Sequence, residues 1–196
     1  MKNIAVFLDR DGTVIEEIGY ISDVHKIKLL PNASLAIKKL NAAGIKVIVV
    51  SNQSGVARNY FGIDAVESVM KRMVELLENE GARVDKILYC PHHPDGVIPE
   101  YAIECNCRKP KTGLMEQTAK EFDLDLSRCY MIGDKESDVR AGHNFGGKGI
   151  LVLTGYGKGL WADKSLWEEE KPDFIAEDML AAVDWIIFDL KKTGIN

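Results

Sequence analysis

Five short apolar runs, at residues 4–8, 46–51, 87–90, 129–132 and 149–153, alternate with segments whose apolar residues recur at the helical period. Runs this short and this continuously apolar read as strands buried on both faces, the pattern of a parallel sheet. Between them, Ala33, Ala36, Ile37 and Leu40 line one helix face, with Asn32 as the expected N-cap and Gly44 past the end. Val66, Val69, Met70, Met73, Val74 and Leu77 form a second stripe, opened by Asp64 with Glu67 three residues on, as in a capping box. Met115, Thr118, Ala119 and Phe122 follow Thr112, and Met179, Val183, Ile186, Ile187 and Leu190 form a last stripe. The helical period accounts for these methionines and aromatics as core residues without invoking a cofactor. Strand–helix alternation with right-handed crossovers predicts a three-layer, Rossmann-like α/β fold, a parallel sheet with helices on both faces. Ligands of such sheets bind beyond the carboxyl ends of the strands.

Composition narrows the range of partners. The 196 residues, 46% hydrophobic and 28% charged, suit one domain spanning 1–196 and a monomer. A net charge of −5 offers no basic face for nucleic acid, so any bound phosphate needs a local positive pocket. The chain enters its first strand after three residues, and no apolar stretch is long enough for a signal peptide core or a membrane span. The expectation is a cytoplasmic protein with no membrane partner.

Four segments carry phosphate chemistry. The run at 4–8 delivers Leu8-Asp9-Arg10-Asp11-Gly12-Thr13, with Gly12 allowing a sharp turn. One carboxylate can attack phosphorus and split hydrolysis into two easier steps, while the other protonates the leaving oxygen and later activates water. An Asp-x-Asp pair by itself fits a solvated turn equally well. The run at 46–51 ends in Ser51-Asn52-Gln53-Ser54-Gly55, whose hydroxyls and N–H groups suit a phosphoryl oxygen or an ordinary loop. Arg108-Lys109-Pro110 precedes a helix starting near Thr112. A fixed ammonium there neutralises attacking carboxylate and phosphoryl group alike, and a guanidinium grips a substrate oxygen; the alternative is a solvated basic patch. The run at 129–132 ends in Gly133-Asp134-Lys135-Glu136-Ser137-Asp138, a glycine and carboxylates that fit Mg²⁺. Asp138 serves equally well as a helix cap.

Cys90-Pro91-His92-His93-Pro94 and Cys105-Asn106-Cys107 bracket a loop containing Gly96 and Pro99. Three thiols and an imidazole complete a tetrahedral set for structural Zn²⁺ and leave no open position for catalysis. Unligated cysteines are one alternative; a redox pair at Cys105 and Cys107 is another, but it leaves Cys90 and His92 unexplained. Cys129 opens a buried strand and reads as a small hydrophobe. His25 and His143 have no partners visible in the sequence and read as surface or local hydrogen-bonding residues.

In chain order, strand–Asp-x-Asp-Gly-Thr, strand–Ser, a basic residue before a helix and strand–Gly-Asp-x-x-x-Asp resembles the haloacid-dehalogenase-like phosphohydrolase superfamily over residues 3–153. The resemblance implies Asp9 as nucleophile, Asp11 as general acid and base, and Ser51 and Lys109 as phosphoryl stabilisers. It implies Mg²⁺ on Asp9, on Asp134 and on the backbone carbonyl of Asp11, with the carbonyl of Lys135 a further candidate. Cys-Pro-His-His-Pro followed by Cys-x-Cys-Arg-Lys-Pro is similar to the zinc-loop subgroup containing D-glycero-D-manno-heptose 1,7-bisphosphate 7-phosphatases and histidinol-phosphate phosphatases. That similarity implies Zn²⁺ on Cys90, His92, Cys105 and Cys107, with His93 the weaker choice. Glu17-Ile18-Gly19-Tyr20 resembles the first substrate loop of the heptose enzymes, and Ser51-Asn52-Gln53-Ser54-Gly55-Val56-Ala57-Arg58 resembles the second. Arg108 and Lys109 match their recognition pair. Ser51 departs from the usual threonine but keeps the hydroxyl.

The expected activity is Mg²⁺-dependent removal of the 7-phosphate from a small metabolite, heptose 1,7-bisphosphate, with histidinol phosphate as the nearest rival substrate. The acidic balance argues against a nucleic-acid 3′-phosphatase. Intact Asp9, Asp11, Lys109 and Asp134 argue against a non-catalytic zinc-stabilised phosphate-binding module. Neither the segment after Asp11 nor that between Ser51 and Arg108 has room for a separate cap domain, so the zinc-stabilised loop of about residues 90–107 and the Glu17–Tyr20 loop must shape the entrance. Beyond the motifs, residues 155–173 read as a flap over the site.

Overall fold

Strand β1, Ala5–Leu8, is buried along its whole length, with a partner strand on each side. The structure, a computed structural model, describes residues 3–192. The other strands are β2 (Lys46–Asn52), β3 (Lys86–Cys90), β4 (Tyr130–Gly133), β5 (Lys148–Val152) and β6 (Phe174–Ala176). They form one sheet in the order β3-β2-β1-β4-β5-β6, every neighbouring pair parallel. Leu8 stands opposite Val49 of β2 and Ile132 of β4, and β2 runs on past this level to Asn52. The sheet grows outward from β1 to β3, then restarts on the other side of β1 with β4. That reversal opens the crevice where open α/β sheets bind ligands.

The helices are α1 (Ala33–Ala42), α2 (Ile63–Asn79), α3 (Gly113–Phe122), α4 (Glu136–Asn144), α5 (Gly157–Ala162) and α6 (Met179–Lys192). Because strand side chains alternate between faces, Val6 and Leu8 join one core while Ala5 and Phe7 join the other. The first core packs β1, β2, β4 and β5 against α1, α2 and α6, through residues such as Ile37, Met73 and Ile186. The second packs the opposite face against α3 and α4, with Met115, Ala141 and Phe145. The expected three-layer arrangement is therefore observed. The chain from Asp11 to α1 is a loop with a single short helical turn, clipped by the Glu16 N–H to the Lys28 carbonyl and the Leu30 N–H to the Val14 carbonyl. No inserted cap domain interrupts the described residues.

Several local expectations are corrected. Helix α2 starts at Ile63 with Gly62 in the N-cap position, so Asp64 lies inside the first turn and no capping box with Glu67 forms. An acidic residue there still complements the helix dipole. Asn32 does occupy the N-cap position of α1, but its backbone is left-handed and its amide donates to Asp178 instead, at 2.9 Å. Strand β6 was not expected at all.

Residues 155–173 are not a flap. Helix α5 and the turn Lys164–Trp167 fold against α4 and β5, with the Trp167 ring 1% exposed beside Val139 and Leu151. The Trp167 indole donates to the Leu160 carbonyl at 2.9 Å. His143 of α4 lies between Glu170 (2.6 Å) and Asp173 (2.8 Å), and Asp173 also accepts from the Gly149 N–H. Within the described residues no helix is long and apolar enough to cross a membrane. Trp167→Ala is expected to cost about 3–5 kcal/mol in urea unfolding, the usual price of emptying a buried aromatic site; a loss below about 1 kcal/mol would mean the segment is not packed.

Candidate active site

The carboxyl ends of β1, β2 and β4 bring a set of charges together in the crevice. Lys109, almost fully buried, is held by three acceptors: Asp9 Oδ1 at 2.7 Å, Asp138 Oδ1 at 2.7 Å and the Val50 carbonyl at 2.6 Å. The Asp9 and Val50 contacts are hydrogen bonds, and the Asp138 contact is an ion pair. The backbone of Lys109 is fixed as well. Asn52 accepts from its N–H and donates to its carbonyl, both at 3.0 Å. Asn52, expected to touch substrate, thus uses its amide to hold Lys109 in place while lining the cleft.

Asp134, 0% exposed, sits beside this pair. Its Oδ2 accepts from the Tyr156 N–H at 2.9 Å, but its Oδ1 has no hydrogen-bond partner. Gly12 makes the closeness possible: its φ is +77°, and a Cβ there would fall 2.2 Å from Asp134 Oδ2. Asp9, Asp134 and Asp138 offer oxygens that all lie within 4.8 Å of one another. Three buried carboxylates share the two ammoniums of Lys109 and Lys135; Asp134 Oδ1 has no hydrogen-bond partner, and Asp138 Oδ1 meets the Lys109 ammonium only as an ion pair. Hard oxygen donors short of positive charge fit a divalent cation such as Mg²⁺.

The titration behaviour follows from the crowding. Burial pushes the Asp134 carboxyl up to about 7, opposed by Lys135 and reinforced by Asp9. Burial likewise raises Asp138 to about 6 against the pull of Lys109. Burial also acts to raise Asp9, but Lys109 and Lys135 outweigh it and leave this carboxyl below the ordinary range. Burial disfavours the Lys109 ammonium, yet Asp138 and Asp9 more than compensate and raise its pKa. Asp9 is thus the member of the cluster whose charged form its surroundings favour most.

Asp11 stands outside this carboxylate cluster but lines the same cleft. It is gripped by the Arg10 guanidinium through Nε (3.0 Å) and Nη2 (2.8 Å), and accepts from Gln53 Nε2 at 3.1 Å. Gln53 also donates to the Ser51 hydroxyl at 2.8 Å. In front of these groups lies a cleft of about 310 Å³, lined by Glu17, Gly19 and Tyr20 from one loop, by Ser54 and Gly55 from another, and by Arg108, Lys135 and Tyr156. Ile18 is exposed beside it. The Lys135 ammonium lies 3.3 Å from Glu17 and 3.8 Å from Asp134 Oδ1. Its carbonyl, considered from sequence as a metal ligand, accepts the N–H groups of Asp138 and Val139, since Lys135 is the N-cap of α4.

The cysteine loop supplies a second cluster. Cys107 Sγ lies 3.0 Å from Cys90 Sγ, 3.2 Å from Cys105 Sγ and 3.2 Å from His92 Nδ1, and the Cys90–Cys105 separation is 3.5 Å. A tetrahedron with zinc–sulfur bonds of about 2.3 Å has edges of about 3.8 Å, close to these spacings. His93 points elsewhere: Arg58 Nη2 lies 3.2 and 3.4 Å from its two ring nitrogens, and the Asp95 N–H donates to Nδ1. Near-equal distances to both nitrogens place the guanidinium over the ring face. The loop is pinned to its neighbour where the Val97 and Ile98 N–H groups both donate to the Ala57 carbonyl, at 2.7 and 3.1 Å.

Arg10, Ser137 and Tyr156 line the cleft without a site role legible in the sequence. An arginine between two aspartates reads as part of a solvated turn, and only burial reveals otherwise for Arg10. Tyr156 follows the last motif and carries no motif of its own.

A family profile described as HAD-hydrolase-like matches residues 106–182. A D-glycero-D-manno-heptose-1,7-bisphosphate 7-phosphatase of Thermosynechococcus vestitus is 44% identical over 190 residues, 95% of this chain and 96% of that protein. A D-glycero-beta-D-manno-heptose-1,7-bisphosphate 7-phosphatase of Haemophilus ducreyi is 36% identical over 95% of this chain and 100% of its own length. Among solved structures, the D,D-heptose 1,7-bisphosphate phosphatase of B. bronchiseptica, complexed with magnesium and phosphate, superposes with a TM-score of 0.81 at 30% identity, covering 95% of this chain and 99% of that one. Similarity of this extent, along nearly the whole of each relative, means that the chain belongs to the haloacid-dehalogenase-like family and is a phosphoric monoester hydrolase.

Proposed function

We propose that this enzyme removes the 7-phosphate of D-glycero-D-manno-heptose 1,7-bisphosphate as a cytoplasmic, monomeric, single-domain phosphatase using Mg²⁺, with Zn²⁺ bracing its cysteine loop. The observation that carries this reading is the ionised Asp9 beside Lys109 and the unpartnered Asp134 oxygen, in a cleft of a chain so similar to heptose bisphosphate phosphatases.

In this reading Asp9 attacks phosphorus, the bond from phosphorus to the sugar oxygen breaks, and Asp11 gives that oxygen a proton. Asp11 then takes a proton from water, which attacks the aspartyl phosphate and releases inorganic phosphate while regenerating Asp9. Lys109 and the Ser51 hydroxyl hold the equatorial oxygens, and the Lys109 charge offsets the approach of one anion to another. Bound Mg²⁺, held by Asp9, Asp134 and the Asp11 carbonyl, supplies further screening of that repulsion. Zn²⁺ on Cys90, His92, Cys105 and Cys107 keeps Arg108 beside the cleft, where with Arg58 and the 17–20 loop it meets the sugar and its distal phosphate.

The deciding experiment compares turnover of both heptose bisphosphate anomers with that of histidinol phosphate in the presence of Mg²⁺. Heptose bisphosphate is expected to give the higher kcat/KM, and Asp9→Asn to abolish turnover of all three while leaving the fold intact. Preference for histidinol phosphate would reassign the substrate, and activity surviving in Asp9→Asn would remove the covalent mechanism.

Arg108→Ala is expected to lower kcat/KM for the bisphosphate by about tenfold or more, as for loss of a charge-assisted hydrogen bond, and to change turnover of an aryl monophosphate much less. Equal losses on both substrates would count against distal-phosphate recognition.

Mg²⁺ affinity should depend on pH. With Asp134 at about 7 in the metal-free fold, a proton competes for the site below neutrality, so calorimetric Mg²⁺ affinity should fall by about one decade per pH unit as pH drops below about 6. The sign for stability is opposite. A carboxyl raised from 3.8 to about 7 favours the metal-free fold at low pH, and that contribution is lost as pH rises from about 4 to 7. Added Mg²⁺ should therefore raise Tm more at pH 7.5 than at pH 5. Affinity that stays flat between pH 5 and 8 would contradict this.

A further inference from the structure

Arg10 is the one fully buried arginine among the described residues, and nothing in the mechanism above uses it. A guanidinium carries five N–H donors and no acceptor, so it dictates the orientation of whatever it touches. Here Nε and Nη2 fork onto the two oxygens of Asp11, Nη2 also donates to Gln53 Oε1 at 3.1 Å, and Nη1 rests 4.0 Å from Met70 Sδ. Gln53 must present its oxygen to Arg10, because the reversed amide would set N–H against N–H. Its NH₂ group then faces the other way and donates both to Asp11 Oδ2 and to Ser51 Oγ. A serine oxygen that accepts from Gln53 keeps its own proton free to donate to an incoming phosphoryl oxygen. One buried cation therefore sets the plane of the Asp11 carboxylate and, through a single amide, the direction of the Ser51 hydroxyl.

We propose that Arg10 is a positioning residue for the reaction, holding Asp11 directly and Ser51 through Gln53 in their working orientations. Stability alone is a weak reason for such a group, since well-packed apolar residues replace buried ion pairs at little or no cost. The proposal rests on the assignment of Asp11 as the acid and base.

The test measures single-turnover phosphorylation of the enzyme across phosphate esters whose leaving alcohols range from alkyl to nitrophenyl, in Mg²⁺. Asp11→Asn serves as the reference, because loss of a general acid hurts poor leaving groups most. Arg10→Met, a side chain that can lie against Met70, is expected to slow alkyl esters by about 10²-fold and nitrophenyl esters by less than tenfold, the range general acid catalysis supplies. Its dependence on leaving-group pKa then steepens, as in Asp11→Asn. In the double variant the loss should exceed that of Asp11→Asn alone by no more than about threefold, because the two residues act as one unit. Gln53→Met, which cuts the link to Ser51 and removes one of the donors to Asp11, carries the same test if Arg10→Met does not fold. A steepened dependence in Asp11→Asn with a normal one in Arg10→Met, or equal losses for every leaving group, would overturn the positioning role. A normal dependence in Asp11→Asn itself would remove the acid–base assignment and this inference with it.

Discussion

The site is organised around one buried ammonium. The Lys109 ammonium is buried, hydrogen-bonded to Asp9 and to the Val50 carbonyl and ion-paired with Asp138. A buried ammonium with any of these missing would carry a desolvation cost of several kcal/mol. The geometry of β1, β2 and β4 is therefore coupled to this one side chain: Asp9 arrives from β1, the Val50 carbonyl from β2 and Asp138 from the helix after β4. Parallel pairing makes this possible, because it points the carboxyl ends of all three strands to the same edge of the sheet.

Around that point the protein places more negative charge than it neutralises. Asp134 is fully enclosed with one oxygen unmatched, and Gly12 lets the backbone approach it without a side chain in the way. Nearby, Asp11 is treated differently, with both oxygens engaged by Arg10 and Gln53. Asp9 and Asp11, two residues apart, thus face opposite requirements. One remains available to a cation and phosphorus, and the other is steered by fixed donors.

How much of this could be read from the sequence depended on the local signal. Five strands were legible because burial on both faces forces continuous apolar runs, whereas Phe174–Ala176 is too short to carry a pattern. The motif residues at strand ends were legible for a related reason: the sheet fixes where they emerge. From sequence Asp138 reads equally as helix cap and as site residue, and both descriptions hold, since Oδ2 accepts from the Lys135 N–H while Oδ1 pairs with Lys109. Residues 155–173 look polar enough for a flap, and only tertiary packing shows that Trp167 anchors them. Arg10 has the same character: its meaning lies in burial, which a lone arginine in a charged stretch does not announce.

The hydrogen bonds from Val97 and Ile98 to the Ala57 carbonyl have a consequence for how specificity can diverge. They fuse the turn after β2 and the thiol-bearing loop into one lip of the mouth, with Gly96 so near Ala57 that a Cβ would lie 2.8 Å from the Ala57 Cβ. An insertion in either arm would tear its backbone from the other. Descendants of this scaffold that take on larger esters should therefore remodel both arms in concert, or leave that lip alone and change the opposite wall, where Gly19 has open space around it.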